Sequence, residues 1–201
     1  MPGANVESKV RCDSLATVAR RAEALGATYT GVLEQEDTYF RITRGRLKLR
    51  QVIHRLPDGT TTRHAELIRY ERPNQPGARV STYDRTPVAD PERKKTKLAA
   101  EHGVRGVVRK KRELWLIEST RIHLDQVEEL GSFIELETVS AGVPGIADHA
   151  EHDRIADALA VDLSKSLRGS YIDLIAPSQP ELADRDRSNA LNGRPSSRRE
   201  L

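Results

Sequence analysis

RIHLDQVEELGSFIELET, residues 121–138, alternates ionic and apolar side chains through two successive runs. Side chains of a strand point to opposite faces with period two. Read that way, Arg121, His123 and Asp125 share one face of a first strand, and Glu135 and Glu137 share one face of the next. Ile122, Leu124, Ile134 and Leu136 must point the other way. The pattern recurs near the N-terminus, where Glu7, Lys9 and Arg11 alternate with Val6, Ser8 and Val10. It recurs again where Arg46, Lys48 and Arg50 alternate with Leu47 and Leu49. A sheet that carries cations and carboxylates on one face, strand after strand, either exposes them to bulk water or curls to enclose them. Enclosure makes a site for a polyanion and a metal ion.

The chain has 201 residues, long enough for one well-buried domain with an attached tail. Charged residues make up 31% and aromatics 4%, so a core exists but many positions are polar. The net charge of +3 comes from 33 basic and 30 acidic residues, a near balance that argues against the concentrated basic surface of a nucleic-acid binder. A single cysteine, Cys12, excludes an internal disulfide and fits a reducing compartment. There is no apolar run near 18 residues and no signal-peptide core, so the expected location is the cytoplasm, with no membrane partner.

Elements follow from local signals. A strand over residues 5–12 leads to a helix capped by Asp13 or Ser14 and stopped by Gly26. Strands are predicted near 33–42, 45–54 and 63–72, with Pro57-Asp58-Gly59 turning the chain between the last two, and another near 79–85. Asp90-Pro91-Glu92 opens a second helix that ends at Gly103. Strands near 105–118, 119–125 and 132–139 complete the sheet. A last long helix is predicted from Asp148 to Leu167, after which Tyr171, Ile172, Leu174 and Ile175 dock on the body. Residues 1–176 are read as one domain. Residues 177–201, rich in Asp, Arg, Ser, Asn and Pro, read as a flexible polar tail.

Five ordered segments resemble the CYTH superfamily, the triphosphate tunnel metalloenzymes that include class IV adenylate cyclases and thiamine triphosphatases. They are Asn5-Val-Glu7-Ser-Lys9, where the family has ExExK; Gln35-x-Asp37-x-Tyr39-Phe40; Leu47-Lys48-Leu49-Arg50; Val108-x-Lys110-x-Arg112; and the Arg121–Glu137 block. The resemblance implies an α+β fold: a closed eight-stranded antiparallel β-barrel with helices packed outside and a charged lumen. That lumen would bind a triphosphate through Lys and Arg and one or two divalent ions, Mg2+ or Mn2+, through carboxylates.

The chemistry asks for this mixture. Several cations must surround a chain of phosphates, and Arg can fork across two phosphate oxygens. Lys9, Lys48, Arg50, Lys110, Arg112 and Arg121 are the substrate-binding candidates. Hard divalent ions take oxygen ligands, which selects Glu7, Glu135 and Glu137 as metal ligands. Asp125, as a further ligand or water-orienting base, and Arg121 are the catalytic candidates. His123 shares their face and receives no role.

Two departures from the family stand out: Asn5 replaces the first Glu of ExExK, and Glu71-Arg72-Pro73 stands where many relatives have Lys before Gly-Pro. The first weakens any second metal site. His149 and His152 read as a surface pair, Trp115 and Tyr39 as packing groups, Arg109 and Lys111 as solvent-facing, and Cys12 as a small core residue. Walker A, HExxH and paired CxxC patterns are absent.

The expected function is metal-dependent hydrolysis of tripolyphosphate, thiamine triphosphate or a nucleotide. The rivals are a class IV adenylate cyclase making cyclic AMP and pyrophosphate, a non-catalytic triphosphate or polyphosphate binder, and an RNA-end binder using the basic tail. Homodimerisation is left open.

Overall fold

The computed structural model describes residues 3–71, 79–167 and 169–175. Its strands are β1 (Gly3–Arg11), β2 (Thr28–Phe40), β3 (Arg46–Arg55), β4 (Thr61–Glu71), β5 (Arg79–Pro87), β6 (Val104–Ile117), β7 (Thr120–Val127) and β8 (Gly131–Ser140). The helices are α1 (Leu15–Ala24), α2 (Pro91–His102), α3 (Ile146–Ala158) and the short α4 (Tyr171–Ile175). All strand pairings are antiparallel, and their order is β1-β5-β4-β3-β2-β6-β7-β8. β1 also pairs with β8, with Lys9 opposite Glu135 and Glu7 opposite Glu137, so the sheet closes into a barrel. Arg72 and the tail 177–201 lie outside the described residues.

Most of the apolar core lies outside this barrel, while Tyr39, Val108, Val127 and Phe133 share strand faces with the lumen residues and pack with Tyr171 and Ile172 of α4. Val10, Ile122, Leu124, Ile134 and Leu136 turn outward and meet Val18 and Ala22 of α1 and Ile155 and Ala156 of α3. Phe40, Leu47 and Leu49 meet Leu98 of α2 in the same way. Each such side chain contributes about 1.5 to 3 kcal/mol when fully buried. The outer layer thus supplies much of the hydrophobic stabilisation, which leaves many inward positions available for ions.

The helices start where the caps dictate. The Ser14 hydroxyl accepts from the Thr17 amide at 3.3 Å, and the Asp90 carboxylate accepts from the Arg93 amide at 3.0 Å. Pro57-Asp58-Gly59 forms the expected turn, with Asp58 accepting from the Thr60 amide at 2.8 Å.

Two boundaries differ from expectation. β2 begins at Thr28, earlier than expected, because a bulge at Tyr29–Gly31 extends its pairing with β6. Gly31 makes this possible: its φ is +115°, and a Cβ there would overlap the Arg55 carbonyl. The predicted helix from Asp148 to Leu167 instead starts at Ile146 and stops at Ala158. Leu159 and Val161 are both buried in one cluster, yet on a continuous helix they would lie about 200° apart. A left-handed residue, Ala160 at φ 56°, breaks the helix and lets both face the core. The chain then returns to the barrel through a 3₁₀ turn, and the Leu167 amide donates to the Lys9 carbonyl at 2.8 Å. No helix among the described residues is long and apolar enough to cross a membrane.

Candidate functional site

The barrel encloses a cavity of about 380 Å³. Lys9, Lys48, Arg50, Lys110, Arg112 and Arg121 all line it, as do Glu7, Glu135 and Glu137. With Arg85, Asp37 and Glu66, seven cations and five carboxylates of the described residues face this one space, a cationic excess of two. A wider groove of about 1410 Å³ meets the lumen at Gln35, Val52, His64 and Lys110. Its charges are largely exposed and several are paired with one another: Glu36 binds Lys95 at 2.7 Å and Arg109 at 3.0 Å. The concentration of buried, convergent charge singles out the lumen.

Two clusters of one design hold the cations. On β3, Lys48 and Arg50 point inward two residues apart, and Asp37 of β2 binds both. Arg50 donates from Nε and Nη2 at 2.7 and 2.8 Å, and Lys48 donates at 2.8 Å. On β6, Lys110 and Arg112 repeat that spacing, and Asp125 of β7 takes the part of Asp37. Arg112 donates to it at 2.5 and 2.7 Å, Lys110 at 3.0 Å and the Tyr171 hydroxyl at 2.7 Å. The bidentate forks fix the guanidinium planes. Burial opposes ionisation of both aspartates, but their cationic partners outweigh it and hold each carboxyl well below the usual range. The lysines respond in the other sense. Burial, helped by Arg112, pushes Lys110 down to about 7, and burial, helped by Arg50, pushes Lys48 down to about 8. The lumen is short of negative charge.

A carboxylate pair lies beside the second cluster, on the neighbouring strands. Glu135 and Glu137 of β8 and His123 of β7 offer ligand atoms that all lie within 4.8 Å of one another. Glu135 Oε2 contacts Lys9 at 2.9 Å and Arg112 at 3.3 Å, while its Oε1 lies 4.0 Å from His123 Nδ1. Glu137 divides its oxygens likewise, with Oε2 3.6 Å from Arg121 and Oε1 3.9 Å from His123 Nδ1. Burial and the nearby Arg112 hold the His123 imidazole well below its ordinary pKa, so it is neutral at pH 7. Two carboxylates and a neutral imidazole suit a divalent cation. Glu7 lines the same cavity but is outside this triad. Asn5 is also in the lining, and its buried Oδ1 has no hydrogen-bond partner.

Asp125 stands apart from the other sequence candidates. It is fully buried behind Arg112, Lys110 and Tyr171 and does not line the cavity. Sequence reasoning passed over Asp37, His123 and Tyr171. Asp37 stood in a quoted motif and shares its strand face with Gln35 and Tyr39, which was the available signal. Tyr171 had none, because α4 reaches the barrel only through the tertiary fold. There, Asp173 binds Arg46 at 2.6 Å and Arg105 at 2.8 Å, and Lys9 sits 4.0 Å from the centre of the Tyr171 ring. The predicted surface pair His149 and His152 is half corrected. His152 is fully buried, between Ser8 at 2.9 Å and Thr138 at 3.1 Å, because the strand face opposite the lumen needs a polar partner for those hydroxyls.

A closed antiparallel barrel with inward-facing cations and a carboxylate cluster defines a tunnel-shaped fold with a charged lumen. The chain belongs to the CYTH domain family, whose model matches residues 3–152. Members of this family are triphosphatases or adenylate cyclases. Among solved structures it is similar to the PH1012 protein of Pyrococcus horikoshii OT3, at 22% identity and a TM-score of 0.67, covering 85% of this chain and 98% of that one. A Vibrio parahaemolyticus protein provisionally named an adenylate cyclase gives 16% identity and a TM-score of 0.62, covering 85% of this chain and 97% of that one. A Hippeastrum protein described as having a dominant triphosphatase activity gives 13% identity and a TM-score of 0.54, covering 86% of this chain and 94% of that one. These likenesses concern the fold. No curated protein matches the sequence.

Proposed function

We propose that the protein is a divalent-metal-dependent triphosphatase that binds a small triphosphate inside the barrel and releases inorganic phosphate. The observation that carries this reading is the convergence of Lys9, Lys48, Arg50, Lys110, Arg112 and Arg121 on one cavity of about 380 Å³. Among the described residues the lining holds two more cations than carboxylates, and a divalent ion would raise that excess to match the roughly four negative charges of a triphosphate.

In this reading the Asp37 and Asp125 clusters each present a fixed Lys–Arg pair to successive phosphoryl groups. Their geometry is set before the ligand arrives, which lowers the cost of ordering it. Asp125 then acts as a positioning residue for Arg112 and Lys110. Its oxygens are already occupied, which leaves it poorly placed to take a proton from water. Arg121, more exposed than the other five cations, stabilises charge on a phosphoryl group near the mouth. Glu135 and Glu137, with Glu7 nearby, would hold the ion, which when bound supplies Lewis-acid neutralisation of phosphoryl oxygens. The chain is read as cytoplasmic.

A second reading, an adenylate cyclase, is favoured by Leu33, Leu114 and Leu116, which add apolar lining beside Arg121 and would suit a nucleoside. The test is to incubate the full-length protein with Mg2+ or Mn2+ and tripolyphosphate, thiamine triphosphate or ATP, and to resolve the products. Phosphate release supports the triphosphatase. Cyclic AMP with pyrophosphate as the only products would replace it with the cyclase, and tight binding without turnover would replace it with a binder.

A further inference from the structure

We propose that His123 is itself a metal ligand, making the lumen site a mixed nitrogen and oxygen centre that prefers a first-row transition-metal ion to Mg2+. The inference deepens the metal-dependent reading and rests on it.

Its basis is the way two carboxylates divide their oxygens around one imidazole. Glu135 commits Oε2 to Lys9 and Arg112, and Glu137 turns Oε2 toward Arg121. Each leaves Oε1 toward His123 Nδ1, at 4.0 and 3.9 Å. That nitrogen is buried and has no hydrogen-bond partner, in a residue only 4% exposed. A proton on Nδ1 would draw one carboxylate to about 2.8 Å. Both stay beyond hydrogen-bond reach. A bare lone pair facing two carboxylate oxygens is repelled by them, and a shared cation resolves the repulsion. One ion bonding at roughly 2.1 to 2.5 Å spans such spacings after a small side-chain rotation.

The cross-strand register supports the assignment. His123 lies directly opposite Glu135, and Arg121 opposite Glu137, so the imidazole and both carboxylates come from adjacent strands of a closed sheet. Strands place ligands more rigidly than loops do. A nitrogen donor changes selectivity, because Mg2+ takes oxygen ligands whereas first-row transition ions also accept imidazole, and more tightly along the series from Mn2+ onward.

The test uses the full-length protein with Mn2+ as the probe. Pulsed electron paramagnetic resonance of the Mn2+-loaded wild type should show a ¹⁴N coupling that is replaced by a ¹⁵N coupling in protein labelled with [¹⁵N]histidine. In His123→Gln the coupling should vanish. Calorimetry should show Mn2+ affinity in that variant falling about 10- to 100-fold while Mg2+ affinity changes less than threefold. Bound Mn2+ without a histidine nitrogen coupling in the wild type overturns the proposal, whether or not the variant folds, and leaves the triphosphatase reading standing. No Mn2+ binding by the wild type, with or without tripolyphosphate, overturns the metal-dependent reading and this proposal with it.

Discussion

Replacing Asp125 with Asn removes one charge from the most completely buried ionic cluster in the barrel. Asp125 is 0% exposed and accepts from Arg112 twice, from Lys110 and from Tyr171. An amide keeps the shape but offers one oxygen, and its NH₂ group then faces donors. The only carboxylate within 4 Å that Arg112 keeps among the described residues is Glu135, at 3.3 Å, and Lys110 loses the carboxylate it binds at 3.0 Å. Breaking a buried pair from one side costs about 3 to 5 kcal/mol, because the surviving charge stays out of water. For a chain of this size, about 2 to 4 °C per kcal/mol converts that loss into a fall of roughly 6 to 20 °C in Tm. The deficit should shrink in saturating tripolyphosphate, whose negative charge replaces the lost carboxylate. Thermal melts of wild type and Asp125→Asn, with and without ligand, give the comparison. A loss below about 1 kcal/mol, or one equal in both conditions, would refute the argument that Asp125 anchors anion-binding cations. An ordinary Tm with abolished turnover would return Asp125 to the role of base.

Other outcomes follow from the same geometry. Glu137→Gln should nearly abolish metal-dependent turnover with little loss of stability, since its cationic neighbour Arg121 is partly exposed; unchanged activity across a Mg2+ titration would remove it from the ligand set. Arg50→Ala should weaken tripolyphosphate far more than orthophosphate, by about 1.5 to 3 kcal/mol, and calorimetry giving equal losses would contradict a cradle for a phosphate chain. Burial, helped by Arg112, pushes Lys110 down from 10.5 to about 7, so the folded state binds fewer protons than the unfolded chain across that window and stability without added ligand rises with pH there. A bound polyanion favours the ammonium form and raises this pKa, so tripolyphosphate binding at pH 8.5 should take up protons and weaken as pH rises; identical calorimetric enthalpies in buffers of different ionisation enthalpy would count against it. Asn5→Glu should strengthen a second Mn2+ binding event in the presence of a non-hydrolysable triphosphate, because an amide oxygen brings no net charge to a divalent ion. Equal stoichiometry and affinity in both proteins would put Asn5 outside the metal shell.

The sequence by itself determined which residues face which way. Period-two alternation in residues 121–138, 6–11 and 46–50 assigned inward and outward faces, and the outward set is the buried apolar layer under α1, α2 and α3. Local chemistry likewise set the caps at Ser14 and Asp90 and the turn at Asp58-Gly59, since each depends on atoms a few residues apart. Tertiary structure decided what a linear pattern cannot carry. The break at Ala160 comes from the need to bury both Leu159 and Val161, a demand made by the core. The partnerships of Asp37 with Arg50 and of Asp125 with Arg112 come from cross-strand register, which alternation leaves free. Tyr171 reaches Asp125 across 46 residues of sequence. His123 read as one more polar residue on a strand, and only closure of the barrel set its unpartnered nitrogen between two carboxylates whose other oxygens were already engaged.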